Sequence, residues 1–390
     1  MRELNKQTDI TLDRTLGCMV GGAVGDALGY AVEFDSWPQI QRLYGPSGIR
    51  DIELDVRGLA CISDDTQMSL FTAGGILLGM TRGDLRGIMG RLDTYCEKTY
   101  VDWLHTQEYR NKEEIGGGYT WLMDVPGLYA RRAPGNTCLS ALRALEKGQP
   151  VENDSCGCGG VMRTAPIALL SYVHGYADGH LPYVDLTAAE AARITHKHPL
   201  GFLPSAVLNH VLWQIMAGEI NSRGDLRDAF IYAAAGVKDI PSAERDHKTF
   251  GELWPEYCAK QETIIIEALQ LAETDLPDVE AIERIGGGWT GHEALAIAAY
   301  CAVKHYGSFE ESVISAVNHS GDSDSTGAIC GNIAGCLYGR AAIPARFTDH
   351  LELLDVIEEI SHDLWTGCII SEYAPMDTPE KQRWFEKYAH

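Results

Sequence analysis

Residues 293–303 read EALAIAAYCAV and are apolar on every side when they are placed on a helix. A helix with this pattern lies in the centre of a domain, where all its faces are covered. Apolar residues three and four positions apart, the spacing of one helix face, predict further helices at residues 68–78, 139–145, 188–196 and 204–216. Alternating strand patterns are scarce, and the clearest, IRDIEL at residues 49–54, is short. The sequence therefore predicts an all-α protein.

Glycine-rich breaks separate these helical stretches at residues 116–118, 157–160 and 286–288. Glycine lets the backbone turn sharply and approach a ligand closely. Residues 238–260 are polar and contain Pro241 and Pro255, which favours a surface insertion in the form of a loop. The chain has no repeat of fixed period and no linker rich in proline or serine. We therefore expect one domain over residues 1–390, with its core at about 14–340.

The overall composition excludes several classes of protein. The 390 residues include 32 Lys and Arg against 55 Asp and Glu, which gives a net charge of −23. Because such a protein repels phosphate backbones, we expect no binding to nucleic-acid backbones or to anionic membranes. A membrane span needs a run of about 18 uncharged apolar residues, and the sequence has none. The 11 cysteines include no CxxC pair, which suits a reducing, cytoplasmic location.

Two short acidic stretches each precede an apolar helical run. The first is Ser63-Asp64-Asp65-Thr66, and the second is GDSDSTG at residues 321–327. One carboxylate is enough to cap a helix N-terminus, whereas two adjacent carboxylates repel each other unless a cation neutralises them. Sites made only of oxygen ligands suit hard ions such as Mg²⁺, Mn²⁺ or Ca²⁺. We therefore expect metal binding at these stretches, with helix capping as the alternative or accompanying role.

The second stretch is also similar to two other kinds of acidic loop. An EF-hand that began at Asp322 would place Ile333 at the twelfth position, where a bidentate carboxylate is required, so this reading fails. The D-x-D-x-T pattern of aspartyl-phosphate phosphatases fits Asp322, Asp324 and Thr326. That pattern follows a strand of a parallel sheet, whereas residues 313–320 are helical in pattern. The phosphatase is kept as an alternative.

Five motifs, taken in order, resemble those of the ADP-ribosylglycohydrolases: residues 25–29 with Glu33-Phe34, residues 63–66, residues 158–163, Thr195-His196 and residues 321–325. The resemblance covers about residues 16–338. It implies an all-α orthogonal bundle with a cleft that holds two divalent cations, Mg²⁺ or Mn²⁺. It gives the role of metal ligand to Ser63, Asp64, Asp65, Asp322, Asp324 and Ser325. Thr326 could replace Ser325 as a ligand.

The resemblance also implies an activity. A member of this family is expected to hydrolyse the N- or O-glycosidic bond between ADP-ribose and a modified protein side chain or a small acceptor. The expected partner is therefore an ADP-ribosylated protein or conjugate. One alternative is a family member that binds ADP-ribose without cleaving it. The other is the phosphatase, which would transfer phosphate through Asp322.

We expect Glu33, Asp65 and Asp324 to act in catalysis. The transition state at ribose C1 has oxocarbenium character, and a pair of cations about 3.5–4 Å apart can hold hydroxyls and activate water. Glu33 is the candidate for general acid and base, or for a gate over the ribose, on a segment that could move. Asp26 is expected to cap a helix or to support a ligand rather than to bind metal.

The pyrophosphate needs hydrogen-bond donors in spite of the acidic chain. Backbone N–H groups at a helix start suit phosphate, and the candidates that offer them are Gly157, Gly159 and Gly160. His196 is expected to donate to ribose or phosphate, whereas Arg163 either binds phosphate or forms a buried ion pair. An aromatic face suits adenine, and the candidates for it are Trp289, Tyr119 and Trp121. Trp103 and His105 are further candidates for the cleft.

Overall fold

The computed structural model describes residues 2–88, 90–175, 181–373 and 376–389. Within these ranges the chain forms nineteen α-helices and no strand, which confirms the predicted all-α class. In chain order the helices are α1 (Arg2–Tyr30), α2 (Trp37–Tyr44), α3 (Asp64–Arg86), α4 (Leu92–Glu108), α5 (Lys112–Ile115), α6 (Asn136–Glu146), α7 (Ala165–His174), α8 (Leu181–Arg193), α9 (Pro199–Met216), α10 (Arg223–Gly236), α11 (Ala243–Phe250), α12 (Leu253–Ala272), α13 (Asp278–Ile285), α14 (Gly291–Lys304), α15 (Phe309–Val317), α16 (Ser323–Tyr338), α17 (Ala345–Thr348), α18 (Leu354–Thr366) and α19 (Pro379–Tyr388). None of these described helices is both long and apolar enough to cross a bilayer.

One strand candidate does not form, and one local prediction is wrong. Residues 49–54 form no strand, and the backbone of Ile49 pairs with the side-chain amide of Asn318 instead of a neighbouring strand. It accepts from the N–H of Ile49 at 2.8 Å and donates to the carbonyl of Ile49 at 2.8 Å. Residues 238–260 form α11 and the first turns of α12 rather than a loop. Pro255 is compatible with this helix because it lies in the first turn, where no N–H is needed.

Helices α1 and α16 pack with their backbones in close approach. Both have glycine at every fourth position along the contact: Gly17, Gly21, Gly25, Gly29, Gly327, Gly331 and Gly335. A Cβ atom at Gly25 would lie 1.9 Å from the carbonyl oxygen of Gly327, and one at Gly29 would lie 2.1 Å from that of Ser323. Only glycine permits this approach. The helices run antiparallel, so the C-terminus of α1 lies against the N-terminus of α16.

Replacing Gly331 by alanine is expected to lower the free energy of unfolding by about 1–3 kcal/mol, because the added methyl group overpacks the contact. A Cβ atom there would lie 2.0 Å from the carbonyl oxygen of Gly21. Urea denaturation measures the change. The matched control is Gly236→Ala in α10, where the new Cβ meets nothing within 4 Å. The control should be unchanged or stabilised by up to about 1 kcal/mol, and equal stability of the two variants would contradict the close contact.

A buried ion pair fixes the end of α8, just before Thr195 and His196. Arg193 in the last turn of α8 donates to both carboxylate oxygens of Asp246 in α11, at 2.5 and 2.9 Å. The side chain of Asp246 is fully buried, and its pKa is lowered by Arg193 in spite of the burial that opposes this. Two-pronged pairs of this kind fix geometry as well as charge. The loop that follows α8 therefore starts from a fixed position.

Candidate active site

The two acidic stretches meet at one cavity of about 200 Å³. Asp64 and Asp65 begin α3, whereas Asp322 immediately precedes α16 and Asp324 lies in its first turn. The chemically important residues of the lining are Glu33, Asp64, Asp65, Asp322, Asp324 and Ser325. A larger groove of about 520 Å³ lies over α10, α11 and α12, and its lining contains none of the predicted site residues. The smaller cavity is therefore the candidate site.

Asp26 of α1 supports the first acidic stretch from behind. Its carboxylate accepts from the N–H of Ser63 at 2.9 and 3.0 Å and from the N–H of Thr66 at 3.1 Å. The Thr66 hydroxyl also donates to it. Burial, together with the charge of Asp324, raises the pKa of Asp26 to about 7. Asp26 thus has the helix-capping and supporting position that the sequence favoured for it.

The carboxylates at the cavity repel one another. Burial raises the pKa of Asp64, Asp65 and Asp322 well above the ordinary value, and the charge of Asp324 adds to this in all three. One oxygen of Asp65, Oδ1, is buried without a hydrogen-bond partner. A bound cation would relieve this repulsion, since hard divalent ions bind carboxylate and hydroxyl oxygens. The donor chemistry therefore fits the predicted pair of ions.

The arrangement is not that of a preformed metal site. Among the residues that the structure describes, no group of three or more His, Cys, Asp and Glu side chains is placed to hold an ion. Ser63 is not in the lining of the cavity; its hydroxyl accepts from the N–H of Asp65 at 3.1 Å and lies 3.3 Å from the Asp65 carboxylate. The four aspartates share one cavity.

Glu33 reaches the cavity from the turn that follows α1. Its side chain is only 7% exposed, and Oε2 is buried without a hydrogen-bond partner. Burial, followed by the charges of Asp324 and Asp322, raises the pKa of Glu33 to about 10. In the absence of cations, a carboxyl group with this pKa holds its proton at pH 7. The N–H of Trp37, four residues on, donates to the Ser320 hydroxyl at 2.8 Å and ties this segment to the second acidic stretch.

The structure distinguishes between the two candidate hydroxyl ligands, Ser325 and Thr326. Ser325 lines the cavity. The Thr326 hydroxyl instead lies 2.7 Å from the carbonyl of Ala316, 2.9 Å from that of Asp322 and 3.0 Å from Nε2 of His319. Thr326 is fully buried among these groups. Of the two hydroxyls, that of Ser325 is therefore the one placed to meet a ligand in the cavity.

The glycine loop, residues 157–160, also supplies a thiol, to which the sequence analysis gave no role. Cys158 donates to Oδ2 of Asp322 at 2.7 Å, and burial together with the Asp322 charge raises the pKa of this thiol. Gly157 and Gly159 line the cavity as expected. Gly160 lies behind the wall, where a Cβ atom would be 2.2 Å from the carbonyl oxygen of Gly201. The structure therefore does not place Gly160 where it could bind a ligand.

His196 lines the cavity, whereas Arg163 lies behind it. Nδ1 of His196 is 2.9 Å from the Thr195 hydroxyl, and Arg163 donates to that same hydroxyl at 2.7 Å. Arg163 is fully buried, and its hydrogen bonds to described residues run to the neutral groups of Met68, Cys138, Ala191 and Thr195. Neither role predicted for Arg163, phosphate binding or an ion pair, is therefore found. His198 caps α9, since its Nδ1 accepts from the N–H of Leu200 at 3.1 Å.

A model of the family described as ADP-ribosylglycohydrolase matches residues 7–372. The chain belongs to this family. The ADP-ribosyl-[dinitrogen reductase] glycohydrolase of Rhodospirillum rubrum is 26% identical over 358 residues, which cover 87% of this chain and 91% of that protein. ADP-ribosylhydrolase ARH3 of Danio rerio is 23% identical over 377 residues, which cover 91% and 90% of the two chains. These matches confirm the predicted family and enzyme class, a hydrolase of glycosidic bonds to ADP-ribose.

A solved structure supports the fold of this ADP-ribosylglycohydrolase family member. It is described as an ADP-ribosylglycohydrolase-related protein complex and matches with a TM-score of 0.59 at 23% identity. The match covers 92% of this chain and 99% of the other. The likeness therefore extends over nearly the whole length of both proteins.

Of the aromatic candidates, the structure places only Trp289 at the cavity. Trp289 stacks on Phe34 with 6.3 Å between the ring centroids and 24° between the planes. The two side chains are 48% and 72% exposed. The other candidates have partners elsewhere: Tyr119 with Lys98, Trp121 with Tyr388, Trp103 with Gln67 and His105 with Glu146. The structure therefore does not bring these four residues to the cavity.

The start of α6 is the largest part of the lining that the sequence analysis missed. Ala133, Gly135, Asn136, Thr137 and Cys138 all line the cavity of this ADP-ribosylglycohydrolase family member. Ala133 has φ of 50°, a left-handed conformation that costs energy for a residue other than glycine. Glycine followed by Asn-Thr before an apolar run is a helix-start signal. That signal could have placed the helix but not its position at the site.

Proposed function

We propose that this chain is a metal-dependent hydrolase that releases ADP-ribose from a modified protein side chain or a small acceptor. The observation that carries the proposal is the meeting of Glu33 with four buried aspartates at one cavity. The aspartates come from two helix starts that are distant in the sequence: Asp64, Asp65, Asp322 and Asp324. The similarity to an ADP-ribosyl-[dinitrogen reductase] glycohydrolase supports ADP-ribose conjugates as the substrate class.

Two divalent cations, Mg²⁺ or Mn²⁺, would be held by Ser63, Asp64, Asp65, Asp322, Asp324 and Ser325. When bound, such ions would neutralise the carboxylates, hold ribose hydroxyls and polarise water. Asp26 would keep α3 in register behind this cluster through its bonds to Ser63 and Thr66. Cys158 would orient Asp322 from the side of the glycine loop.

Glu33 has the properties that a general acid needs. Glu33 lines the cavity, burial raises the pKa of its carboxyl group, and its Oε2 has no hydrogen-bond partner. Protonation of the leaving nitrogen or oxygen on ribose C1 assists departure when the sugar gains oxocarbenium character. The ionised Glu33 could then take a proton from the attacking water. The negative charges of Asp65 and Asp324 would stabilise the positive charge that develops at ribose C1.

The pyrophosphate would lie against the glycine loop and the start of α6. Gly157 and Gly159 carry no side chains that would cover their backbone, and Gly135 with Asn136 begins α6 at the same cavity. Helix N-termini attract anions through their N–H groups and the helix dipole. His196 would add a donor from the same wall. These neutral donors would offset the repulsion between the phosphates and the acidic chain.

The test is an assay of ADP-ribose release. The protein is incubated with ADP-ribosylated arginine or serine peptides, first with Mg²⁺ or Mn²⁺ and then with EDTA. Release that EDTA abolishes supports the proposal, and binding without release supports a catalytically silent protein. The phosphatase alternative has lost its structural basis, because Asp322 lies between α15 and α16 with no strand before it. Release of phosphate from a phospho-substrate would restore it.

Replacing Trp289 by alanine is expected to raise the KM for an ADP-ribosylated peptide by about 10-fold with a smaller change in kcat. The exposed ring at the cavity offers a stacking face, and loss of one stacking contact costs about 1–3 kcal/mol. Steady-state kinetics measures the effect. The matched control is Tyr119→Ala, which removes an exposed ring away from the cavity and should leave KM unchanged. Equal effects of the two substitutions would contradict a stacking role for Trp289.

A further inference from the structure

Arg163 is a buried cation with an unusual set of partners. It is fully buried, and its guanidinium group lies 4.3 Å from the centre of the Tyr100 ring. Its other contacts are to neutral groups, such as the sulfur of Met68 at 3.3 Å. The shortest of its hydrogen bonds, at 2.7 Å, runs from Nη2 to the hydroxyl oxygen of Thr195. Burial of a charge without a counter-charge is costly, which points to a role for Arg163 beyond packing.

The hydrogen bond from Arg163 to Thr195 determines which group donates in the bond between Thr195 and His196. A guanidinium group only donates, so the Thr195 oxygen must accept from Arg163. Nδ1 of His196 lies 2.9 Å from the same oxygen. If Thr195 donates its single proton to Nδ1, the proton of the neutral imidazole must be on Nε2. If Nδ1 carried the proton instead, the acceptor left for the Thr195 hydroxyl among the described residues would be the sulfur of Cys138, which is a weak acceptor.

Nε2 of His196 lies at the glycine loop of the cavity. A Cβ atom at Gly157 or at Gly159 would be 3.3 Å from it, and both glycines line the cavity together with His196. Burial and the positive charge of Arg163 lower the pKa of His196 to about 3. The ring is therefore neutral at pH 7. A neutral ring that has its proton on Nε2 can donate to an oxygen in the cavity, but Nε2 itself cannot accept a proton.

We propose that Arg163, acting through the Thr195 hydroxyl, holds His196 in the tautomer that presents Nε2–H to the cavity. The identity of the hydrogen-bond acceptor rests on the proposed function, in which it is a phosphate or ribose oxygen of ADP-ribose. Arg163 and Thr195 are positioning residues. His196 is then a hydrogen-bond donor and not a general base, which leaves proton transfer to the carboxylates.

The tautomer is measured directly by ¹⁵N NMR of the histidine rings in the full-length protein, and the His196 signals are assigned by comparison with His196→Gln. We expect a protonated Nε2 and a bare Nδ1 in the wild type. Thr195→Val, which keeps the shape of the side chain but removes the hydroxyl, should mix the two tautomers. Thr195→Ser should restore the wild-type pattern. A proton on Nδ1 in the wild type overturns the proposal, whether or not the protein binds ADP-ribose.

Calorimetric titration with ADP-ribose tests the consequence. Thr195→Val should weaken binding by about 5- to 10-fold, the effect of one hydrogen bond, whereas Thr195→Ser should stay within about 2-fold. In the release assay KM should rise more than kcat falls. Unchanged affinity in Thr195→Val overturns the proposal. If Thr195→Val does not fold, the ¹⁵N NMR measurement of the His196 tautomer in the wild type tests the proposal by itself. Failure of the wild type to bind ADP-ribose contradicts the proposed function and leaves the NMR test valid.

Discussion

Asp324→Asn is expected to lower kcat for release of ADP-ribose by about 10³-fold while the helical fold is kept. Asp324 adds its charge to the environment of Asp26, Asp64, Asp65 and Asp322, so it is central to the acidic cluster. Charge stabilisation by bound cations is worth several kcal/mol, and each 1.36 kcal/mol changes a rate tenfold. Asparagine keeps the shape of the side chain but removes the charge that would hold an ion.

The matched control is Asp228→Asn, which removes the same charge from an exposed side chain on α10 that is 74% exposed. It should retain wild-type turnover. Circular dichroism and thermal unfolding establish that both variants are folded. Asp324→Asn should be at least as stable as the wild type in EDTA, because it removes repulsion from a buried cluster. Full turnover in Asp324→Asn would refute its assignment as a ligand.

The meeting of the two acidic stretches could be predicted because each combined excess carboxylates with a helix start. Helix N-termini attract negative charge, so Asp64 and Asp322 were expected at the ends of helices that face a common ligand. Neither motif shows how close the two acidic stretches lie in the folded protein. This distance depends on the glycine contacts between α1 and α16, such as Gly25 with Gly327. Glycine spacing of four residues is visible in the sequence, but it does not reveal which helix is the partner.

Residues without charge account for most of what the sequence analysis missed at the site. Cys158 and the start of α6 contribute a thiol and backbone groups, which no composition or charge pattern distinguishes from packing. The same limit explains Trp289 and Tyr119: both follow glycine triplets, and only the fold shows that Trp289 lies at the cavity. Arg163 was assigned from its charge, whereas its actual partner is the neutral hydroxyl of Thr195.

Without cations, the protein is expected to lose stability as the pH rises from about 5 to about 8, and Mg²⁺ or Mn²⁺ should reverse that loss. The pKa is raised from 3.8 to about 7 for Asp26 and from 4.5 to about 10 for Glu33. Between the unfolded and folded pKa values the folded state binds more protons than the unfolded state. Stability therefore falls with rising pH in this window. For Asp26 alone the loss between about pH 5 and about pH 8 is about 3 kcal/mol, from about two pH units at 1.36 kcal/mol each.

Thermal unfolding at several pH values, in EDTA and then with Mg²⁺ or Mn²⁺, measures this dependence. Self-repulsion of a chain with a net charge of −23 would also lower stability at high pH, so the control must separate the two causes. Asp324→Asn and Asp228→Asn each remove one charge, but only the first removes it from the cavity. The first should flatten the pH dependence and lose the response to cations, whereas the second should behave like the wild type. Identical curves for the two variants would mean that the whole surface, and not the acidic cavity, sets the pH dependence. Stability that rises from about pH 5 to about pH 8 in EDTA would contradict the raised pKa values themselves.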